Sequence, residues 1–109
     1  MKRKIVSLTV LFLIGIVSVF AAPKAETFRV EGKCGMCKAR IEKTSLAIDG
    51  VSEAEWNQET KMLKVIFDDS KVKVEDIRKK LAEAGHDNGK YKADDKVYNA
   101  LPVCCHYRE

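Results

Sequence analysis

Residues 26–50 read ETFRVEGKCGMCKARIEKTSLAIDG, and the change of pattern inside this stretch decides the fold. From Glu26 to Glu31 polar and apolar residues alternate, with Phe28 and Val30 on one side, which is the period of a β-strand. Gly32 breaks the strand. From Cys37 to Ile48 the pattern is helical, with Ile41, Ser45 and Ile48 on one stripe, Leu46 and Ala47 beside it, and Lys38, Arg40, Glu42 and Lys43 facing solvent. Asp49 and Gly50 end the helix, Gly50 being suited to a left-handed cap. Between strand and helix stand Cys34, Gly35, Met36 and Cys37. A two-residue spacer lets both sulfurs converge on one point, and Gly35 lets the backbone turn between them at little steric cost.

A helix start exposes backbone N–H groups and the positive end of the helix dipole, so it favours thiolate over thiol, and Lys33 and Lys38 push the same way. Thiolate is the form that binds soft cations such as Cu(I), Zn(II) or Hg(II), and it is also the form that attacks disulfides. The pair alone therefore fits metal binding or redox exchange. A plain structural disulfide is the third reading. Met36, between the two, either lends a thioether to Cu(I) or shields the site.

Outward from this stretch, Val51 to Trp56 and Lys61 to Phe67 read as two strands joined by Asn57, Gln58, Glu59 and Thr60, a polar stretch of hairpin length. Ala54 and Trp56 face inward on one, and Leu63, Val65 and Phe67 on the other. Ser70 is placed to cap a second helix on which Val74, Ile77, Leu81 and Ala84 recur at helical spacing, and Gly85 stops it. A short fourth strand is expected near Gly89 to Lys92. This order predicts an α+β, ferredoxin-like βαββαβ sandwich, a four-stranded antiparallel sheet with two helices on one face. In that architecture the loop after the second helix lies at the same end as the first strand-to-helix loop. His86 is thereby brought toward Cys34 and Cys37.

Residues 93–109 form a C-terminal extension with Tyr98, Leu101 and Pro102 followed by Cys104, Cys105 and His106. Adjacent cysteines can pair only in a strained ring, so separate partners or a shared metal are their natural uses. The tail is long enough to fold back over the first loop. Cys104, Cys105 and His86 are therefore candidate ligands beside the primary pair, Cys34 and Cys37.

At the other end, Lys2, Arg3 and Lys4 precede an apolar run from Ile5 to Phe20 that ends in small residues, the pattern of an export signal cut after Ala21. The run is shorter than the roughly 20 residues a membrane span needs. Residues 1–21 are thus read as a signal peptide, leaving a domain over 22–92 and an extracytoplasmic, periplasmic destination. Membrane contact then ends with the cleaved segment. Removing the three basic residues takes Lys plus Arg from 20 to 17 against 16 acidic residues, so the mature chain is close to neutral. No basic patch suited to nucleic acid is left, and Phe28, Trp56, Phe67 and Tyr91 form no stacking platform. No serine triad, carboxylate pair or phosphate loop is present, so the chain does not read as an enzyme.

Val30, Glu31, Gly32, the Cys34 to Cys37 motif, Ala39 to Lys43, Asp49 to Val51 and the later Ala84, Gly85, His86, Asp87 closely resemble the heavy-metal-associated domain. The resemblance runs over roughly Glu26 to Lys92. That family includes small copper chaperones, the periplasmic mercury-binding protein and N-terminal domains of metal-transporting ATPases. The resemblance implies that Cys34 and Cys37 are metal ligands and that the ion passes to a receiving protein, such as a metal-transporting ATPase, by ligand exchange. Three features depart from the family pattern. Gly32 and Lys33 lead directly to Cys34, without the loop residue and methionine usual there; His86 stands where bacterial copper chaperones often have tyrosine; and the extension lies beyond the ordinary domain.

The leading expectation is an exported carrier of a soft ion, most simply Cu(I), held by Cys34 and Cys37. A thiol–disulfide redox protein with Cys34 as nucleophile and Cys37 as resolving thiol is the first alternative. A Zn(II) or Hg(II) sequestering protein, its site closed by the tail cysteines and His106, is the second. A homodimer sharing one ion through the cysteines of two chains is a further arrangement open to either metal-binding reading.

Overall fold

The computed structural model describes residues 23–108, and the export signal read over residues 1–21 lies outside the described residues. Strands β1 (Lys24–Arg29), β2 (Val51–Trp56) and β3 (Met62–Phe67) form an antiparallel sheet in the order β1-β3-β2. Its register sets Phe28 and Trp56 on either side of Leu63. Alternation along β3 buries Leu63, Val65 and Phe67, the three positions expected to face inward. Helix α1 (Gly35–Leu46) and helix α2 (Val74–Glu83) supply the rest of the core through Cys37, Ile41 and Ser45 on one and Ile77, Leu81 and Ala82 on the other. Each large aliphatic side chain buried here contributes about 1.5–3 kcal/mol. This is the α+β, ferredoxin-like arrangement expected, with α1 running two residues earlier at each end than its sequence pattern.

The fourth strand is not formed among the described residues. Asn88 and Tyr91 instead bond to each other, Asn88 N to Tyr91 O at 2.8 Å and Tyr91 N to Asn88 O at 3.0 Å, around Gly89 at φ +59°. The Asn88 side chain ties this turn to α2, donating to Arg78 O and accepting from Arg78 Nε. Backbone groups that a β4 ladder would need are thus used inside the turn, and one bond, Glu31 N to Asp87 O at 2.9 Å, links the segment to the end of β1. Nor does Ser70 cap α2. Its N–H and hydroxyl both bond Asp68 Oδ1, and the helix starts at Val74, where the Asp76 carboxylate takes the N–H of Lys73.

The extension is built into the same core. Helix α3 (Asp95–Asn99) and a 3₁₀ turn (Val103–Cys105) bury Tyr98, Leu101 and Cys105 against the sheet and helices. Among the described residues, no helix is long and apolar enough to cross a membrane.

Candidate metal centre

The cysteine loop is held from below. Trp56, almost fully buried, donates its indole N–H to Val30 O at 3.0 Å and Lys61 O at 3.2 Å, which fixes the ring under the end of β1. Gly32 rests on that ring: a Cβ there would lie 3.0 Å from Trp56 and 3.1 Å from Cys37 Cβ. From one side, Glu42 accepts the N–H of Trp56 and pairs with Lys38, which itself donates to Trp56 O. The first turn of α1 is therefore pinned to the end of β2. Cys34 is its N-cap residue, and its carbonyl accepts from Cys37 N and Lys38 N.

On this base four free sulfurs meet. Cys34 Sγ lies 3.9 Å from Cys37 Sγ, 3.7 Å from Cys105 Sγ and 3.0 Å from Cys104 Sγ. The ligand atoms of Cys34, Cys104 and Cys105 all lie within 4.8 Å of one another. Exposure differs sharply: Cys37 and Cys105 are fully buried, Cys34 is half-buried and Cys104 is exposed. The hydrogen bond with Cys104, helped by the N–H groups of Cys37 and Met36, lowers the Cys34 pKa to about 6, which favours the thiolate at neutral pH. Burial pushes Cys37 up to about 11 and raises Cys105 as well, so both are neutral thiols until a cation displaces the proton. Cys104 Sγ also reaches Met36 Sδ at 3.5 Å, and Arg40 donates to Cys105 Sγ at 3.5 Å.

His86 is beside the first loop, as the architecture requires, yet it stands outside the group of sulfurs just described. It is fully buried, its Nδ1–H donates to Glu31 O at 2.9 Å, and burial lowers its pKa, so the ring is neutral. Nε2 is left buried without a hydrogen-bond partner. His106 likewise spends its ring nitrogen on a backbone carbonyl, that of Leu101, and stacks on Tyr98.

A model of the heavy-metal-associated domain matches residues 27–87. The chain belongs to the heavy-metal-associated domain family. It is 41% identical over 63 residues to the copper chaperone CopZ of Staphylococcus aureus (strain bovine RF122 / ET3-1), covering 57% of this chain and 93% of that protein. To the periplasmic component of the mercuric transport protein of Shewanella putrefaciens it is 36% identical over 84 residues, 76% of this chain and 92% of that one. The solved CopZ metallochaperone superposes with a TM-score of 0.59 at 37% identity, spanning 61% of this chain and all of that one. The heavy-metal-associated domain matched here ends at Asp87 and contains Cys34, Cys37 and His86; Cys104 and Cys105 lie beyond it.

What sequence reasoning missed is the apparatus that brings the tail back to the domain. Arg108 donates through Nε and Nη2 to both oxygens of Asp87 (3.1 and 2.9 Å), through Nη2 to Ala93 O and through Nη1 to Asp95. Tyr107 donates its hydroxyl proton to Gly85 O at 2.6 Å and accepts from Asp87 N at 2.9 Å. Leu101 packs on Gly85, where φ is +112° and a Cβ would fall 2.9 Å from the leucine side chain. The signal that could have found this was the run of large residues in the tail, Tyr98, Leu101, Tyr107, at odds with a solvated extension.

Proposed function

We propose that this protein carries a soft, thiophilic metal ion, most simply Cu(I), on Cys34 and Cys37 and passes it to another protein by ligand exchange. One observation carries the reading: a half-buried thiolate at a helix N-terminus faces a second, buried sulfur 3.9 Å away. Relatives named as a copper chaperone and as a mercuric transport component support a soft cargo, and Hg(II) is its other candidate. Binding releases thiol protons and leaves the cation's oxidation state unchanged. An acceptor thiolate then adds to the ion before one resident sulfur leaves, so tight holding and fast transfer coexist. A metal-transporting ATPase of the same membrane is the natural receiver. Residues 1–21 act as the cleaved export signal, a reading supported by the periplasmic designation of the Shewanella relative.

Anaerobic titration of the reduced protein with Cu(I) against a competing chelator tests this. Stoichiometric binding that disappears in Cys34→Ser/Cys37→Ser is the expected result. Binding of undiminished strength in that double variant refutes it.

A further inference from the structure

One sulfur of the proposed carrier pair, that of Cys34, is met by both sulfurs of the extension, and the two tail cysteines meet it differently. Cys105 is fully buried, 3.7 Å from Cys34 Sγ. Cys104 is exposed, 3.0 Å from Cys34 Sγ and 3.5 Å from Met36 Sδ, whose own side chain is half exposed. Geometry separates their roles. With soft metal–thiolate bonds of about 2.3 Å, a planar three-coordinate ion holds its sulfurs about 4.0 Å apart, and a linear two-coordinate ion about 4.6 Å. The Cys34–Cys37 and Cys34–Cys105 separations of 3.9 and 3.7 Å match two sides of the triangle and fall short of the linear span. Cys37 is outside the trio whose sulfurs already lie within 4.8 Å of one another, so the third side closes as Cys37 and Cys105 draw together around the ion. At 3.0 Å, Cys34 and Cys104 are too close to hold one ion together without movement, and Cys104 is the sulfur free to move outward.

We propose that the extension is a strap that completes the metal site: Cys105 is a third, buried thiolate ligand with Cys34 and Cys37, and exposed Cys104 is the exit ligand that draws the ion toward the acceptor. This rests on the carrier reading above and adds to it where the ion is stored and from which sulfur it leaves. The strap is held shut by Arg108 on Asp87 and by Tyr107 on Gly85. On loading, the thiols of Cys37 and Cys105 give their protons to solvent as two metal–sulfur bonds form beside that of Cys34. On release, Cys104 bonds the ion while Cys37 lets go. The proton lost by Cys104 returns to Cys37, so one metal–sulfur bond replaces another and no electron moves. Cys34, Cys105 and Cys104 then hold the ion, and Cys104, with the Met36 thioether at the rim, presents it outward.

The test loads the purified protein anaerobically with Cu(I). X-ray absorption is expected to find three sulfurs on copper in the unaltered protein and two in Cys105→Ser, whose retention against a chelator falls about tenfold or more. Cys104→Ser, a change at an exposed site, is expected to keep three sulfurs on copper but to hand copper to a dithiol acceptor several-fold more slowly. Arg108→Met, which keeps all four cysteines and loosens the strap, is expected to shorten retention in the same direction as Cys105→Ser. Circular dichroism of each apo variant shows that it is folded, and the coordination number of the unaltered protein needs no variant at all. Two sulfurs on copper in the unaltered protein, or equal transfer rates with and without Cys104, overturns the strap. Loss of binding in Cys34→Ser/Cys37→Ser alongside those results leaves the carrier reading standing, whereas binding that survives in that double variant removes the carrier reading itself.

Discussion

Replacing Arg108 by methionine keeps a long apolar stem and removes the guanidinium that closes the tail onto the domain. The Asp87 side chain is only 10% exposed, so its carboxylate stays buried with the N–H of Ala93 as its remaining direct partner. Breaking a buried ion pair from one side costs about 3–5 kcal/mol, and the partial exposure of Arg108 places this case near the low end. Loss of the cation over the Tyr98 ring, 4.3 Å from its centre, adds about 0.5–1 kcal/mol. The expected loss is about 3.5–4 kcal/mol, or a fall in Tm of roughly 14–32 °C for a domain of this size. Urea unfolding read by the fluorescence of Trp56, the single tryptophan, measures it directly. Burial pushes the Asp87 pKa up, but the hydrogen bonds and charge of Arg108 outweigh it and hold the folded value below the ordinary carboxylate range. Stability from this pair is therefore complete above the ordinary aspartate pKa of about 3.9 and is lost as pH falls through the lower folded value. The gap between the two proteins should be full near neutral pH and close in strong acid. Asp87→Asn/Arg108→Met, with both charges gone, should recover part of the loss. A change below about 0.5 kcal/mol at neutral pH, or a gap that does not shrink on acidification, refutes the account of the latch.

Gly85→Ala puts a Cβ 2.9 Å from Leu101 on a backbone at φ +112°; strain of about 1–2 kcal/mol plus overpacking of at least about 1 kcal/mol should appear in the same urea assay, and a variant as stable as the parent disproves that contact. Alkylation of the apo protein with iodoacetamide, followed by peptide mass mapping, should label Cys34 with a midpoint near pH 6 while Cys37 stays unlabelled at neutral pH. In Cys104→Ala the Cys34 midpoint should climb toward that of an ordinary thiol, because the hydrogen bond from Cys104 is the largest cause of its depression; an unmoved midpoint shows that the helix start alone sets it.

Elements whose reasons are local could be read from the chain. The alternation through Phe28 and Val30, the inward set Leu63, Val65 and Phe67, and the stripe of Ile77 and Leu81 each follow from one period, and all are buried. Gly85 takes its positive φ directly after the Ala84 cap, so the end of α2 was legible, whereas Gly50, also at positive φ, lies three residues beyond the Ala47 cap and does not end α1. Illegible features depend on partners distant in sequence. Gly89 to Lys92 has strand-like composition, but Arg78 on α2 claims Asn88 and the turn closes on itself. Ser70 suits a cap, but Asp68, two residues earlier, takes it first. His86 was brought to the right end of the sheet by topology alone, yet its Nδ1 is consumed by Glu31 O. Cys37 lies on the buried face of α1 with Ile41 and Ser45, and the tail sulfurs that meet its neighbour Cys34 belong to an extension latched by Arg108, 71 residues from Cys37.

The opposite fates of Cys104 and Cys105 follow from the backbone they share. Both lie in the 3₁₀ turn Val103–Cys105, where three residues make one turn and neighbours point about 120° apart. Two adjacent side chains there cannot face the same way, so once the core claims Cys105, Cys104 is turned toward solvent beside Met36. A helix start treats Cys34 and Cys37 differently: three residues apart on α1, they share a face, and one lies deeper than the other. Four sulfurs from two short motifs thus form a graded series, two buried, one half-buried and one exposed, without any residue having to move. A spacing of one in the tail and three in the helix is what yields that gradient. Inserting a single residue between Cys104 and Cys105 should abolish it, because a second turn position would separate the inner sulfur from the outer one and break the contact of one of them with Cys34.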